Sequence, residues 1–291
     1  MLPRYLKVGT AINQSIFVKH RRYEYLANPL HIHPEIELLL VLKGTGTRIV
    51  GNSVEHFHPG TLIMIGPDVP HLWHFDDNYP RNKNTYLEFI YVLFKADIIR
   101  EPFWQLPEAR NVLKLIHESG RGIRLLGKTL KEVSSLMKSI CLSSGFKRIT
   151  ILLSILEIIS SGKEYQFLSS PMARSGTNAS DYERLDKVYN YMIDHLQDDI
   201  SLKQAASIAC FTIPSFCRYF KQRTNKTFTR FKNELRIAYA CKLLSEEDKS
   251  VSEVCHISGF TNTSHFIQIF KKVTGYTPLN FRKKIAIGLR Y

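Results

Sequence analysis

Cysteine is scarce in this chain: there are five among 291 residues, at positions 141, 210, 217, 241 and 255, and no two of them form a C-x-x-C pair. An odd number without paired spacing argues against a disulfide-stapled secreted scaffold and suits a reducing cytoplasm. Long apolar runs are missing as well. No stretch reaches the roughly 18 consecutive apolar residues of a membrane span. No apolar segment follows the basic residues of Met1-Leu-Pro-Arg-Tyr-Leu-Lys7, so no signal peptide is expected either. The third shortage is local. Residues 203–291 hold 16 Lys and Arg against 5 Asp and Glu, a net +11, whereas the other 202 residues hold 24 against 21, a net +3. A basic excess confined to one segment is the electrostatic footprint of a phosphate-binding module; a merely solvated basic surface is the plainer alternative.

What is present divides by hydrophobic period. With 44% hydrophobic residues the chain can bury a core, and its length suits two domains. Residues 8–95 read as strands: 31–42 as an unbroken run closed by Gly44-Thr-Gly46, then 47–50, 53–57, 61–65 and 86–94, with Gly, Pro and Asn between them. Short strands at such spacing indicate a sandwich or small barrel. From about Phe103 the apolar residues recur at helical spacing. Leu130, Val133, Met137 and Ile140 mark a helix over 128–142, and Ile149, Leu152, Leu153, Leu156 and Ile159 another over 146–161. Residues 169–180 are small and polar, as in a flexible linker, and 181–287 read as helical throughout. The expected class is α+β multidomain: a β-barrel over 1–97, a helical segment over 98–168, a linker over 169–180 and an all-α domain over 181–291.

The basic third contains an internal repeat. Ser201-Leu-Lys-Gln204 and Ser250-Val-Ser-Glu253 stand 49 residues apart, and each reads as a capping box opening a helix. Leu202/Val251, Ala205/Val254 and Ile208/Ile257 supply one apolar face, and Cys210-Phe-Thr212 and Gly259-Phe-Thr261 read as turns whose threonine caps the next helix. After one inserted residue the offset becomes 50, pairing Phe216/Phe266, Phe220/Phe270, Thr224/Thr274 and Phe231/Phe281. Helix, short turn and helix, twice over, is the pattern of a helix-turn-helix, although plain bundle packing would also repeat. The helix-forming stretch 233–245 between the units would be a rigid spacer.

On these residues, 184–284 resemble the DNA-binding domain of the AraC/XylS family of bacterial transcription regulators. The most specific stretch is Gly259-Phe-Thr-Asn-Thr-Ser-His-Phe-Ile-Gln-Ile-Phe-Lys-Lys-Val-Thr-Gly-Tyr-Thr-Pro-Leu-Asn-Phe-Arg282. The resemblance implies two units reading adjacent major-groove segments, which places their second helices about 34 Å apart. It further implies a double-stranded DNA operator, RNA polymerase as a partner, activation of transcription, and a homodimer formed through helices 128–142 and 146–161. Helical phase leaves Ser215, Cys217 and Arg218 outward in the first unit and Asn262, Thr263, Ser264, His265, Ile267 and Gln268 in the second. These are the candidate base contacts. Arg218 suits guanine and Gln268 adenine, with a phosphate contact the alternative for Arg218 and core packing for Ile267. Lys221, Arg236, Lys271, Lys272 and Arg282 are candidate phosphate contacts, which position the protein without specifying sequence.

The strand region carries His31-Ile-His33-Pro-Glu-Ile-Glu37, then Gly44, Pro59-Gly60 and Gly66-Pro-Asp-Val-Pro70-His71. These resemble the two motifs of the cupin barrels. Alternation puts 31, 33 and 37 on one strand face, so His31, His33, Glu37 and His71 are a candidate divalent-metal set. Two readings stay open: a metal-dependent cupin enzyme of dioxygenase or isomerase type carrying a DNA-binding tail, or a small-molecule sensor. The sensor is favoured, with no catalysis, metal or cofactor expected. Its candidate effector residues are His31, His33, Glu37, Lys43, Arg48, His71, Trp73 and Phe89. Segment 103–125 resembles a subgroup of the family tied to carbohydrate use, which implies a sugar effector.

Overall fold

The computed structural model describes residues 15–23, 27–75, 86–98, 101–162, 164–169, 179–246 and 249–286. It separates into two compact units whose boundary falls between Thr177 and Asn178. The part of the expected strand region before residue 15, the tail after 286 and most of the expected linker, 170–178, lie outside the described residues.

The first unit begins with eight strands: β1 (Ile16–Tyr23), β2 (Ala27–His31), β3 (Ile36–Lys43), β4 (Gly46–Val50), β5 (Ser53–Phe57), β6 (Leu62–Ile65), β7 (His71–Phe75) and β8 (Leu87–Phe94). Helices α1 (Glu101–Trp104) and α2 (Arg110–Glu118) follow, then β9 (Ile123–Leu125), α3 (Gly127–Cys141), α4 (Phe146–Ser161) and β10 (Tyr165–Phe167). One sheet has the order β1-β8-β3-β6-β9-β10 and the other β2-β7-β4-β5. Alternation along the first sheet sorts its side chains into two cores. Leu38, Leu40, Leu62, Met64, Ile90 and Val92 face α2, α3 and α4, where Val133, Met137, Ile140, Leu152, Ile155, Leu156 and Ile159 close over them. Leu39, Val41, Ile63, Ile65, Leu87 and Phe89 face the second sheet and pack with Val50, Phe57 and Trp73. Each such side chain contributes roughly 1.5–3 kcal/mol when fully buried.

The strand reading needs correction in three places. The run 31–42 is broken at 32–35, because Pro34 has no N–H to give a ladder and fixes its own φ. The strand His71–Phe75 was not anticipated. The segment 98–168 is not purely helical: β9 and β10 leave it to extend the first sheet, pairing antiparallel with each other while β9 also pairs with β6. Three-residue strands are too short to carry a readable period.

The second unit is helical: α5 (Ala179–Asp194), α6 (Leu202–Ile208), α7 (Ile213–Thr224), α8 (Phe228–Glu246), α9 (Val251–Ile257), α10 (Thr263–Thr274) and α11 (Pro278–Ala286), with turns between them rather than helix throughout. The sequence repeat recurs in geometry. The Phe220 and Phe231 rings meet at 5.4 Å and 87°, and Phe270 and Phe281 at 5.4 Å and 81°. Thr224 donates its hydroxyl to the Phe220 carbonyl at 2.7 Å, and Thr274 does the same to Phe270 at 2.8 Å. Asn225 and Gly275 then end α7 and α10 in the left-handed conformation.

The caps differ between the units. Ser250 and Glu253 form the expected reciprocal box on α9. On α6, Ser201 accepts from the Gln204 amide, but the Gln204 side chain is taken by the Tyr191 hydroxyl, which itself accepts the Ser201 N–H. Tyr191 thus relays the cap. The cap of α10 is Asn262, not Thr261: its side chain accepts the His265 amide at 2.8 Å. Thr212 precedes α7 as expected, but its hydroxyl donates to the Ser215 hydroxyl instead of capping an amide.

Candidate functional site

Two sets of residues carry chemistry, one in each unit. In the second unit, α7 and α10 bury Phe216, Tyr219 and Phe220, and Phe266 and Phe270, against their own helix pairs. The opposite faces are open. On α7 they show Cys217, Arg218 and Lys221; on α10, Ser264, His265, Gln268, Lys271 and Lys272. The other candidates are placed differently. Ser215 is half-buried beside Thr212, and Asn262 is committed to its cap. Thr263 is half-buried, while Ile267 packs on the core. The two arginines read as phosphate contacts are turned inward. Arg236 is buried and donates to the carbonyls of Leu196 and Asp198, its guanidinium pKa lowered by that burial. Arg282 is half-buried and donates to the Lys249 carbonyl.

In the first unit, the end of β2, the 32–35 link and the starts of β3 and β7 bring five ionisable side chains together. His31, His33, His71, Glu37 and Glu35 are all buried. A nitrogen of each imidazole lies within 4.8 Å of the others. Glu37 Oε2 stands 3.4 Å from His33 Nε2 and 3.8 Å from His71 Nε2. Glu35, which the motif reading passed over, lies 3.7 Å from His33 Nδ1. Alternation places it on the same side as 31, 33 and 37, and it is buried with them.

Backbone bonds fix two of these rings. His33 Nδ1 is 3.1 Å from the Glu35 carbonyl and His71 Nδ1 2.8 Å from that of Val69. A carbonyl only accepts, so Nδ1 carries the proton in both. Each Nε2 then faces the carboxylate of Glu37, and His33 Nε2, His71 Nε2 and Glu37 Oε1 have no hydrogen-bond partner. Electron pairs turned on one another in a buried space call for a cation or a proton between them. Burial opposes ionisation of Glu37, but the imidazoles of His33 and His71, when a proton occupies the Nε2 facing it, outweigh that and hold the carboxyl far below its ordinary value. Burial likewise opposes a charged His33, and Glu37 with Glu35 overcomes it, raising that imidazole. The donor set fits a divalent ion: imidazoles that give their second N–H to a backbone carbonyl are the usual ligand arrangement.

The remaining effector candidates lie on β3, β4, β7 and β8. Trp73, Phe57 and Phe89 form an aromatic layer with ring centroids 5.0–6.4 Å apart, and Arg48, fully buried, pairs in register with Trp73. Lys43 sits at the far end of β3 from Glu37, about 20 Å away at 3.3 Å per residue, with its ammonium 3.9 Å over the Tyr86 ring.

Comparison with known proteins matches a domain in each unit. Residues 205–284 match the model of a helix-turn-helix domain, and residues 25–82 match that of a cupin domain. The chain is 23% identical over 271 residues to the uncharacterized HTH-type transcriptional regulator YdeC of Bacillus subtilis, covering 88% of this chain and 86% of that one. It is 22% identical to the HTH-type transcriptional activator RhaS of an Enterobacter species, covering 90% of each. It is 31% identical over 104 residues to the MmsAB operon regulatory protein of Pseudomonas aeruginosa, 36% of this chain and 34% of that one. A helix-turn-helix domain and a cupin domain in one chain, with relatives over most of its length that are named transcription regulators, are what these comparisons show.

Proposed function

We propose that the chain is a DNA-binding transcription regulator of the AraC family, that it is controlled by a small effector taken up at the polar end of its barrel, and that it binds an operator through the open faces of α7 and α10. The observation that carries the effector reading is the set of buried polar atoms without partners: His33 Nε2, His71 Nε2, Glu37 Oε1 and Trp73 Nε1. Leaving such groups unsatisfied costs about 1–3 kcal/mol each, and a ligand that satisfies them recovers that cost on binding. Hydroxyl groups over an aromatic face meet this demand, so a sugar or sugar-derived molecule is the effector class. Arg218, Ser264, His265 and Gln268 contact bases; Lys221, Lys271 and Lys272 contact phosphates. Residues 1–97 form the sensor, 98–168 the coupling segment, 169–180 the linker and 181–291 the reader. The protein works in the cytoplasm as a homodimer, supported by the exposed Leu142 and Phe146 at the corner between α3 and α4. It activates transcription, as the RhaS relatives are named to do, by recruiting RNA polymerase. Titrating the purified protein with a panel of sugars while following Trp fluorescence and operator affinity tests this. Saturable binding that changes operator affinity is expected; no response to any compound on the panel contradicts the sugar class.

A second reading is favoured by the Nδ1 bonds of His33 and His71. A divalent ion held by His31, His33, His71 and Glu37 would supply a Lewis-acid contact for an oxygen of the effector. Elemental analysis of purified protein separates the readings: about one equivalent of zinc, iron, nickel or manganese, lost in a His33→Ala, His71→Ala variant, supports the ion, and metal-free protein that still binds effector rejects it.

A further inference from the structure

We infer that the two helix pairs read DNA by different chemistry, and that the first specifies thymine through an apolar tip led by Ile213. The inference rests on α7 being a base-contacting helix. Ile213 is the first residue of α7 and is 42% exposed. Pro214 and Cys217, on the same open side, are exposed too. The fold has no use for this: Phe216, Tyr219 and Phe220 already fill the inward face. At the aligned positions of α10 the pattern is reversed. Thr263, Ser264 and Ile267 replace Ile213, Pro214 and Cys217, and there the one apolar residue, Ile267, packs inward while Ser264 and Gln268 point out.

The tip of α7 is poor in hydrogen-bonding groups. Pro214 has no N–H, and the Thr212 and Ser215 hydroxyls are bonded to each other at 3.1 Å. Arg218 and Lys221, exposed one and two turns further along, supply the charge that holds the tip against a phosphate backbone. Within the major groove the apolar feature of a base edge is the C5-methyl of thymine, and the N-terminal residues of the second helix are those that meet base edges. An isoleucine there finds its complement in thymine methyls, and Arg218 adds one polar contact beside them.

The test uses the full chain. Duplexes are selected from a random-sequence pool, and each thymine of the preferred sequence is then replaced in turn by deoxyuridine, which removes only the methyl group. At one or two thymines on the side of the site bound by the first helix pair, replacement should weaken the wild-type protein about fourfold, the equivalent of roughly 0.8 kcal/mol for one buried CH₂ group at 1.4 kcal/mol per tenfold. Ile213→Ala should bind thymine and deoxyuridine duplexes equally, and Ile213→Val should keep most of the difference. Thymines read by α10 should not respond to either variant. A wild-type protein indifferent to every replacement, or an Ile213→Ala protein with an undiminished methyl effect, overturns the inference while leaving DNA binding by α7 intact. A protein that selects no sequence overturns both.

Discussion

Arg218 and Arg236 carry the same charge on neighbouring helices and are used in opposite ways. Arg218 is exposed on the open face of α7, whereas the Arg236 guanidinium ties two carbonyls of the 195–201 connection to α8. Arg218→Ala should therefore lose about 1–3 kcal/mol of discrimination at one base position, measured by competition between point-substituted duplexes, with little change in unfolding. Arg236→Ala should do the reverse: a loss of about 1.5–3 kcal/mol in urea unfolding, the range for a hydrogen bond to a charged group, and an unchanged salt dependence of DNA binding. The sequence places both on helices but cannot separate them. On α8 Ile237, Ala238, Tyr239, Ala240, Leu243 and Leu244 are all buried, so no polar side stands out against which Arg236 could be judged. The imidazoles of the barrel were legible from the His-x-His motif and its partner at 71. Glu35 was passed over, although alternation puts it on the same side as 31, 33 and 37, because the motif reading took Glu37 as its carboxylate.

At the scale of the element, caps decide what local sequence can reveal. The Ser250–Glu253 box closes within four residues and is readable. Its strength depends on charge: hydrogen bonds from Ser250 hold the Glu253 carboxyl below its ordinary value. A depressed carboxyl stabilises the fold above the unfolded value of 4.5 and loses that contribution as pH falls through the folded value. Glu253→Ala should therefore lower the melting temperature at neutral pH, and the gap from wild type should close as acid titration passes below 4.5, as scanning calorimetry would record. The start of α3 is capped from a distance instead. Leu126 offers it no side-chain bond, and the amides of Lys128 and Thr129 donate to Glu164 at 2.6 and 3.0 Å. A partner 35 residues away leaves no local signature. Replacing Glu164 by Ala should cost about 1 kcal/mol, the usual value of a lost cap, in unfolding of the first unit.

For the whole molecule, the net +11 of the last 89 residues and the doubled helix pairs point the same way, since in the proposed function two reading helices and the lysines at their ends would meet phosphates together. The repeat was readable because it fixes aromatic contacts, Phe220 on Phe231 and Phe270 on Phe281, whose spacing the chain must keep. The short strands that complete the first sheet, β9 and β10, were not, because their pairing is decided by register with distant residues. Sequence-specific DNA binding by the paired helices is the claim on which the rest depends. Its most direct test is the affinity of the full chain for a duplex selected from random sequence against a scrambled duplex of equal composition, across a salt series. The account predicts at least about 10³-fold preference at physiological salt, with affinity falling by about 0.9 log units per log unit of salt for each phosphate neutralised. Equal affinity for the two duplexes, or binding indifferent to salt, would contradict it.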